Sequence, residues 1–357
     1  MRREEMTYRF LAVLVLSLMF DVRTSFAIER GIVRTYVPQF ANSNLGANVA
    51  TILTLRLWTT LRPRPIPNPT NLFFGRGEIK WSPRVLDEQS ADAAAIAAKN
   101  ADSHMALWGG VQEYGSGVVV DANLTIPVIT AVAGGAQTWT VRVRGVQLEL
   151  GLPSPTYQFS PLVISREVVD KYSRPNQVRL CETKEVDCRG TALGNSFIAQ
   201  RIDGDFALAT ASNKFTGWAY LPDLSEAQNE VVDFTAALIS YLRTDFEQSE
   251  RLFDRIKGHK VESLVLNDSA ILAGISQYRQ RKALDGLQAI HAQNPYSRYA
   301  VQALVMAGIE LIGASSAGES RNSQLKAITE LVESYRHLFA PRDRWLANAD
   351  RCLRLLK

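Results

Sequence analysis

The apolar residues of this chain change their spacing along its length, and that change limits its folds more than any single motif. From Gly117 the alternation is strict: Val118, Val120, Ala122, Leu124, Ile126 and Val128 fall on one side, Asp121, Asn123 and Thr125 on the other. A period of two sends successive side chains to opposite faces of a strand. The pattern resumes after Gly134-Gly135, with Trp139, Val141 and Val143 against Thr140, Arg142 and Arg144, and then Val146, Leu148 and Leu150. These segments read as antiparallel strands with one face buried.

Upstream, strand and helix patterns take turns. Gly31 to Val37 is a short apolar strand, and Asn42, Ser43 and Asn44 supply turn and N-cap chemistry after it. Between Gly46 and Arg62, Val49, Leu53, Leu57 and Leu61 recur every four residues with Ile52 beside them, which is one buried helix face. Pro63 to Pro69 end that helix, Leu72 to Trp81 read as a strand, and Gln89 to Asp102 form an Ala-rich helix able to approach a sheet closely. Met105, Leu107 and Val111 then point one way. Two helices over such a mixed or antiparallel sheet predict a two-layer α/β domain across residues 28–172.

Residues 173–225 differ. After Ser173-Arg174-Pro175-Asn176 come strands of four or five residues at Val178, Phe197, Phe206 and Thr216, parted by tight turns such as Asp203-Gly204. That pattern predicts a small all-β barrel. Residues 226–357 are helical: 236–242, 246–256, 270–280, 283–292, 300–312, 324–338 and 342–356. Tyr241 and Tyr278 are 37 residues apart, with Phe246 on Ala283 and Phe253 on Ile290 at the same offset. A tetratricopeptide repeat has a period of about 34, so the spacing predicts divergent helical pairs of that type.

Residues 1–27 read as an export signal. Basic residues precede the uncharged run Phe10 to Phe20, which is too short to span a bilayer, and Ser25-Phe26-Ala27 offers small residues for a cut after Ala27. An uncleaved anchor is the alternative. Without that leader no segment reaches spanning length, so the expected location is the periplasm or outside the cell. In an oxidising compartment Cys181 and Cys188 can close a short disulfide loop, leaving Cys352 as a buried free thiol in an apolar helix. Basic residues number 40 and acidic ones 36, spread evenly, so no segment has the basic excess that nucleic acid requires.

Two resemblances follow from the text. The order helix, Ala101-Asp102, strand, Trp108-Gly109, Tyr114-Gly115 and long alternating strand resembles the N-terminal TolB-type domain of bacterial envelope proteins over residues 30–150. The resemblance implies a protein-binding or assembly module without catalytic residues. Residues 178–225, closing on Gly217-Trp218 after a Gly-Asp-Phe turn, are similar to bacterial Src-homology-3-like (SH3-like) domains. Those bind peptides or cell-wall peptide stems in a shallow groove with aromatic walls, which implies a groove lined by Phe206, Trp218 and Tyr220. The competing reading puts these rings in the core. Small cores need their aromatics, which weighs toward the core for Phe206 and Trp218 and is even for Tyr220.

Catalytic text is sparse. His104, His259, His291 and His337 lie in different elements without metal-ligand spacing, and no nucleophile elbow or phosphate loop is present. Gly75-Arg76-Gly77 and Gly115-Ser116-Gly117 read as turns, and Asp203 and Asp205 as turn formers. The chain is therefore expected to be an exported bacterial envelope adaptor or scaffold, with no enzyme activity, cofactor or nucleic-acid partner. It would hold envelope proteins through its α/β and helical-repeat domains. The alternative is a peptidoglycan or peptide sensor acting through the barrel.

Overall fold

The computed structural model describes residues 33–61, 77–127, 139–170, 179–185, 188–192, 197–203, 206–211, 214–220, 230–258, 263–316 and 318–357. The leader, the cut after Ala27 and the Pro-rich stretch 63–69 lie outside them. By contacts the chain groups into two compact units that do not follow the boundaries expected at 172 and 225. One is built from Glu29–Val132 and Ser154–Ala273, the other holds Ala133–Pro153 and Gly274–Lys357.

The first unit contains β1 (Val33–Gln39), α1 (Gly46–Thr60), β2 (Gly77–Val85), α2 (Ala91–Asn100), β3 (Met105–Tyr114) and β4 (Gly117–Thr125). Strands β5 and β6 (Trp139–Val143, Val146–Leu150) belong to the second unit, after which β7 (Thr156–Gln158), β8 (Leu162–Ser165) and α3 (Arg166–Asp170) return to the first. The sheet runs β2-β1-β3-β4-β7, with β8 also on β4. It is mixed: β1 is parallel to β2 and β3, whereas β3, β7 and β8 are antiparallel to β4. The expected helix face of α1 is present, since Val49, Ile52, Leu53 and Leu57 are fully buried. Its cap is not the expected one. Leu45 holds the N-cap position without a side-chain bond, while Ser43 Oγ accepts from the Leu45 amide and Asn42 turns the chain at φ 68°.

A two-layer domain is not what forms. From β1 through α1 to β2 the chain moves one way, and through α2 to β3 it moves back past β1, so right-handed connections place the two helices on opposite faces. Side chains agree. Ala94 and Ala98 of α2 pack with Tyr36, Ala106 and Trp108, whereas Met105 and Leu107, the alternate residues of β3, are buried on the other face. Leu107 lies opposite Leu124, which lies opposite Tyr157, and the Tyr157 ring meets Phe234 at 4.5 Å. Phe234 belongs to α4 (Glu230–Leu242), so α4 shares that second face. The correction has a physical cause: β1 and β3 have neighbouring strands on both sides and carry apolar residues on both faces, so one helical layer leaves half of them wet.

All thirteen residues of α4 are buried. It packs against α1 and against α5 (Phe246–Ile256), whose Gln248 Nε2 donates to the Thr60 carbonyl at 3.0 Å. Phe234 also meets Phe159 at 5.7 Å and Phe253 at 5.7 Å. Helix α6 (Ser263–Arg281) brings Asp268 to the Tyr157 hydroxyl, where the two buried groups face each other without a well-formed hydrogen bond.

In the second unit the β5–β6 hairpin turns at Arg144 and Gly145, both at positive φ. Its alternation is as expected except at Thr140: Trp139, Val141, Val143, Val146, Leu148 and Leu150 are buried and Arg142, Arg144 and Glu149 exposed, but Thr140, expected outward, is buried too. It does not extend the mixed sheet. Its apolar face lies on C-terminal helices: Asn348 Nδ2 donates to the Gln147 carbonyl at 3.0 Å, the Tyr299 hydroxyl to the Gly151 carbonyl at 2.6 Å, and Trp139 meets Tyr278 at 5.4 Å. Those helices are α7 (Asp285–Gln293), α8 (Arg298–Ala314), α9 (Glu319–Ser334) and α10 (Arg344–Leu356). Near Trp139, the buried Glu310 carboxylate takes Lys282 at 2.7 Å and Arg279 at 3.8 Å. Cys352 is free and fully buried in α10, and burial pushes its thiol up to about 11.

Three outcomes follow from this packing. Phe234→Ala removes the ring on which three others converge and is expected to cost about 3–5 kcal/mol in urea unfolding. Burial pushes the Asp268 carboxyl up to about 6 from an ordinary 3.8, with Tyr157 opposing. The folded chain therefore holds a proton that the unfolded chain has lost. The contribution of this group is full below about pH 4, falls by roughly 2–3 kcal/mol as pH rises to about 6, and is level above. Asp268→Asn is expected to flatten that slope when unfolding midpoints are compared across the window. A thiol reagent should find no group in the native chain and one, Cys352, after unfolding without reductant.

A candidate binding face on the small sheet

Among the described residues, five short strands follow α3: β9 (Arg179–Leu180), β10 (Thr191–Ala192), β11 (Phe197–Asp203), β12 (Phe206–Ala211) and β13 (Thr216–Tyr220). Strands β11, β12 and β13 form an antiparallel meander, and β9 pairs with β10. A reciprocal pair joins the two sets, with the Cys181 amide on the Trp218 carbonyl at 2.8 Å and the Trp218 amide on the Cys181 carbonyl at 2.6 Å. Gly217 makes this approach possible: a Cβ there would stand 2.7 Å from the Cys181 carbonyl oxygen.

The register sorts the side chains. Phe206 lies opposite Tyr220, Leu208 opposite Trp218 and Thr210 opposite Thr216, so these six share one face. Ala209, Gly217 and Ala219 take the other and are buried. Phe206, Leu208, Trp218 and Tyr220 are only half-buried. The Phe206 and Tyr220 rings stand edge to face at 5.5 Å. Phe206 and Trp218 are thus half-buried on the face opposite the buried Ala209, Gly217 and Ala219, and neither is fully enclosed in a core.

Cys181 and Cys188 form the disulfide, with Cα atoms 5.9 Å apart, as is consistent with an exported protein. Within the loop the Glu185 amide donates to the Thr183 carbonyl at 2.9 Å, a three-residue turn with Lys184 at its apex. The Lys184 ammonium lies 5.0 Å from the centroid of the Trp218 ring. Among the described side chains the face therefore offers three rings, a leucine, two hydroxyls and the Lys184 cation. Rings and aliphatic groups of this kind are chemically suited to apolar and aromatic side chains.

Other titratable groups do not converge here. His104 Nδ1 accepts from the Arg34 amide at 2.9 Å, and burial, then the Arg34 charge, pull its pKa down. Burial lowers His291, whose ring meets Tyr335 at 4.7 Å, and the His337 ring lies 6.2 Å from Tyr335. His259 and Asp205 lie outside the described residues, and Asp203 pairs with Phe206 at the end of β11. Gly115, at φ 57°, turns β3 into β4. Among the described residues no group of three His, Cys, Asp or Glu side chains could hold a metal ion, and no helix is long and apolar enough to cross a membrane. Sequence reasoning missed Lys184. The one signal was its central place between two cysteines seven residues apart. No family model, curated protein or solved structure matches the chain.

Proposed function

We propose that this chain is an exported adaptor of the bacterial envelope that holds an extended peptide segment of a partner protein on the aromatic face of the small sheet. The observation carrying the reading is the pairing of half-exposed Phe206, Trp218 and Tyr220 on one face with buried alanines and glycine on the other. Large rings left in water cost free energy unless something covers them, and aromatic side chains lead binding hot spots. The disulfide supports export. The likeness of residues 178–225 to SH3-like domains, of 30–150 to TolB-type domains and of the C-terminal helices to tetratricopeptide-like pairs agrees with a role in interaction. In this reading the α/β unit and the helices are further partner-binding surfaces, and the chain carries out no catalysis.

The test is an array of random linear twelve-residue peptides, probed with the oxidised wild-type chain and with Trp218→Ala. Loss of the ring should weaken the bound peptides at least about tenfold, which corresponds to ~1.4 kcal/mol. Equal binding by both chains would sink the proposal. Retention on purified cell-wall sacculi that depends on Trp218, with no peptide bound, would instead make the ligand a cell-wall element.

A further inference from the structure

Strand β1 enters the mixed sheet beside the residue that precedes β3, and two hydrogen bonds of unequal kind close that end. The His104 amide donates to the Arg34 carbonyl at 2.7 Å, backbone to backbone. The Arg34 amide donates in return to a side-chain atom, His104 Nδ1, at 2.9 Å. A regular parallel ladder would give that amide the carbonyl of Asp102, since residues two apart on one strand bracket a single residue of its neighbour. Asp102 instead turns the chain at φ 50°, and its carbonyl and carboxylate take the Arg34 guanidinium. The imidazole therefore stands in for a missing backbone acceptor. That rung matters because the ladder is short: Thr35 and Tyr36 pair with Met105 and Ala106, and the next bridge is Ala41 with Gly110.

We propose that His104 is a pH-sensitive latch at the entry of β1: neutral, it holds the Arg34 amide to the start of β3, and protonated, it lets that rung go. The chemistry is a change of role. To accept from the amide, Nδ1 must carry no hydrogen, so the neutral ring holds its proton on Nε2. Protonation from solvent puts a hydrogen on Nδ1, and two donors then face each other where a donor met an acceptor. His104 is half-buried, so solvent protons reach it. Arg34 faces the ring from β1, Asp102 of the turn pairs with Arg34, and Glu78 of β2 lies beside Arg34 in register. Lys99 is exposed at the end of α2, and residues 122–127, at the end of β4 beside β3, carry no charge. Burial and then the Arg34 charge hold the imidazole below its ordinary 6.5, so the latch is closed at neutral pH and opens on the acid side. As pH falls below 6.5 the unfolded chain takes this proton before the folded one does. The contribution of the group to stability is therefore present above that pH and is lost on descent to the folded value.

Labelling the histidine rings with nitrogen-15 gives signals from four residues, and His104→Asn identifies those of His104. As pH is lowered from about 7.5 to about 4.5, His104 should pass from a bare to a protonated Nδ1. Protection of the Arg34 amide against hydrogen exchange, corrected for the intrinsic rate, should fall about five- to tenfold with the same midpoint. His104→Asn supplies an acceptor that does not titrate, so its Arg34 protection should stay level over the range. His104→Ala should show the low protection at both ends. Four results overturn the latch. They are a proton on Nδ1 at neutral pH, a ring still neutral at the acid end, Arg34 protection that does not follow the His104 titration, and the same pH dependence in His104→Asn, which would assign it to Asp102 or Glu78. An equal loss of protection along the β3–β4 ladder also overturns it, since the whole sheet would then be opening.

Discussion

Phe234 stands where Tyr157, Phe159 and Phe253 converge, and the first unit depends on that meeting of rings. Tyr157 belongs to the sheet, Phe253 to α5, and Phe234 to a helix with no exposed residue. A helix buried all round cannot be stable alone, because water is excluded from every side only if other elements supply every side. Helix α4 therefore requires the sheet, α1 and α5 at once, and each of them loses part of its cover without α4. That mutual need is why a helix far along the chain is part of the α/β unit.

Local order was legible in the sequence where one period held over many residues. The four-residue recurrence of Val49, Leu53 and Leu57 identified α1, and the alternation from Val118 to Leu124 identified β4, because both patterns report burial directly. Assembly was less legible. Trp139 to Leu150 alternate as strands of either unit would, and nothing in that period says which apolar surface they will meet; the decision lies with partners such as Asn348, Tyr299 and Tyr278. The second helical layer was hidden for a related reason. Ala106 and Trp108 look like the outward residues of a one-sided strand until Ala94 and Ala98 are known to cover them.

The candidate site shows the same limit in a smaller space. Aromatic residues in a fifty-residue segment are ordinarily assigned to its core, since little else can fill one. Here Gly217 lets β13 approach Cys181 closely, with Leu180 and the Phe215 ring beside it, and Ala209 and Ala219 share its buried side. Strand parity then decides the rest: with the small residues inward, Phe206, Trp218 and Tyr220 must turn outward together.

That inversion also explains why the disulfide sits where it does. The two-stranded and three-stranded sheets of this small segment meet at the Cys181–Trp218 pair, and so small a segment gains from a covalent restraint there. Closing a loop of this length limits the unfolded chain by an amount worth about 2–3 kcal/mol. The bridge lies at β9, the strand whose end pairs with Trp218, and so it acts on the very residue that the small inner face has pushed outward. Restraint of the backbone beside Trp218 is then a consequence of that placement.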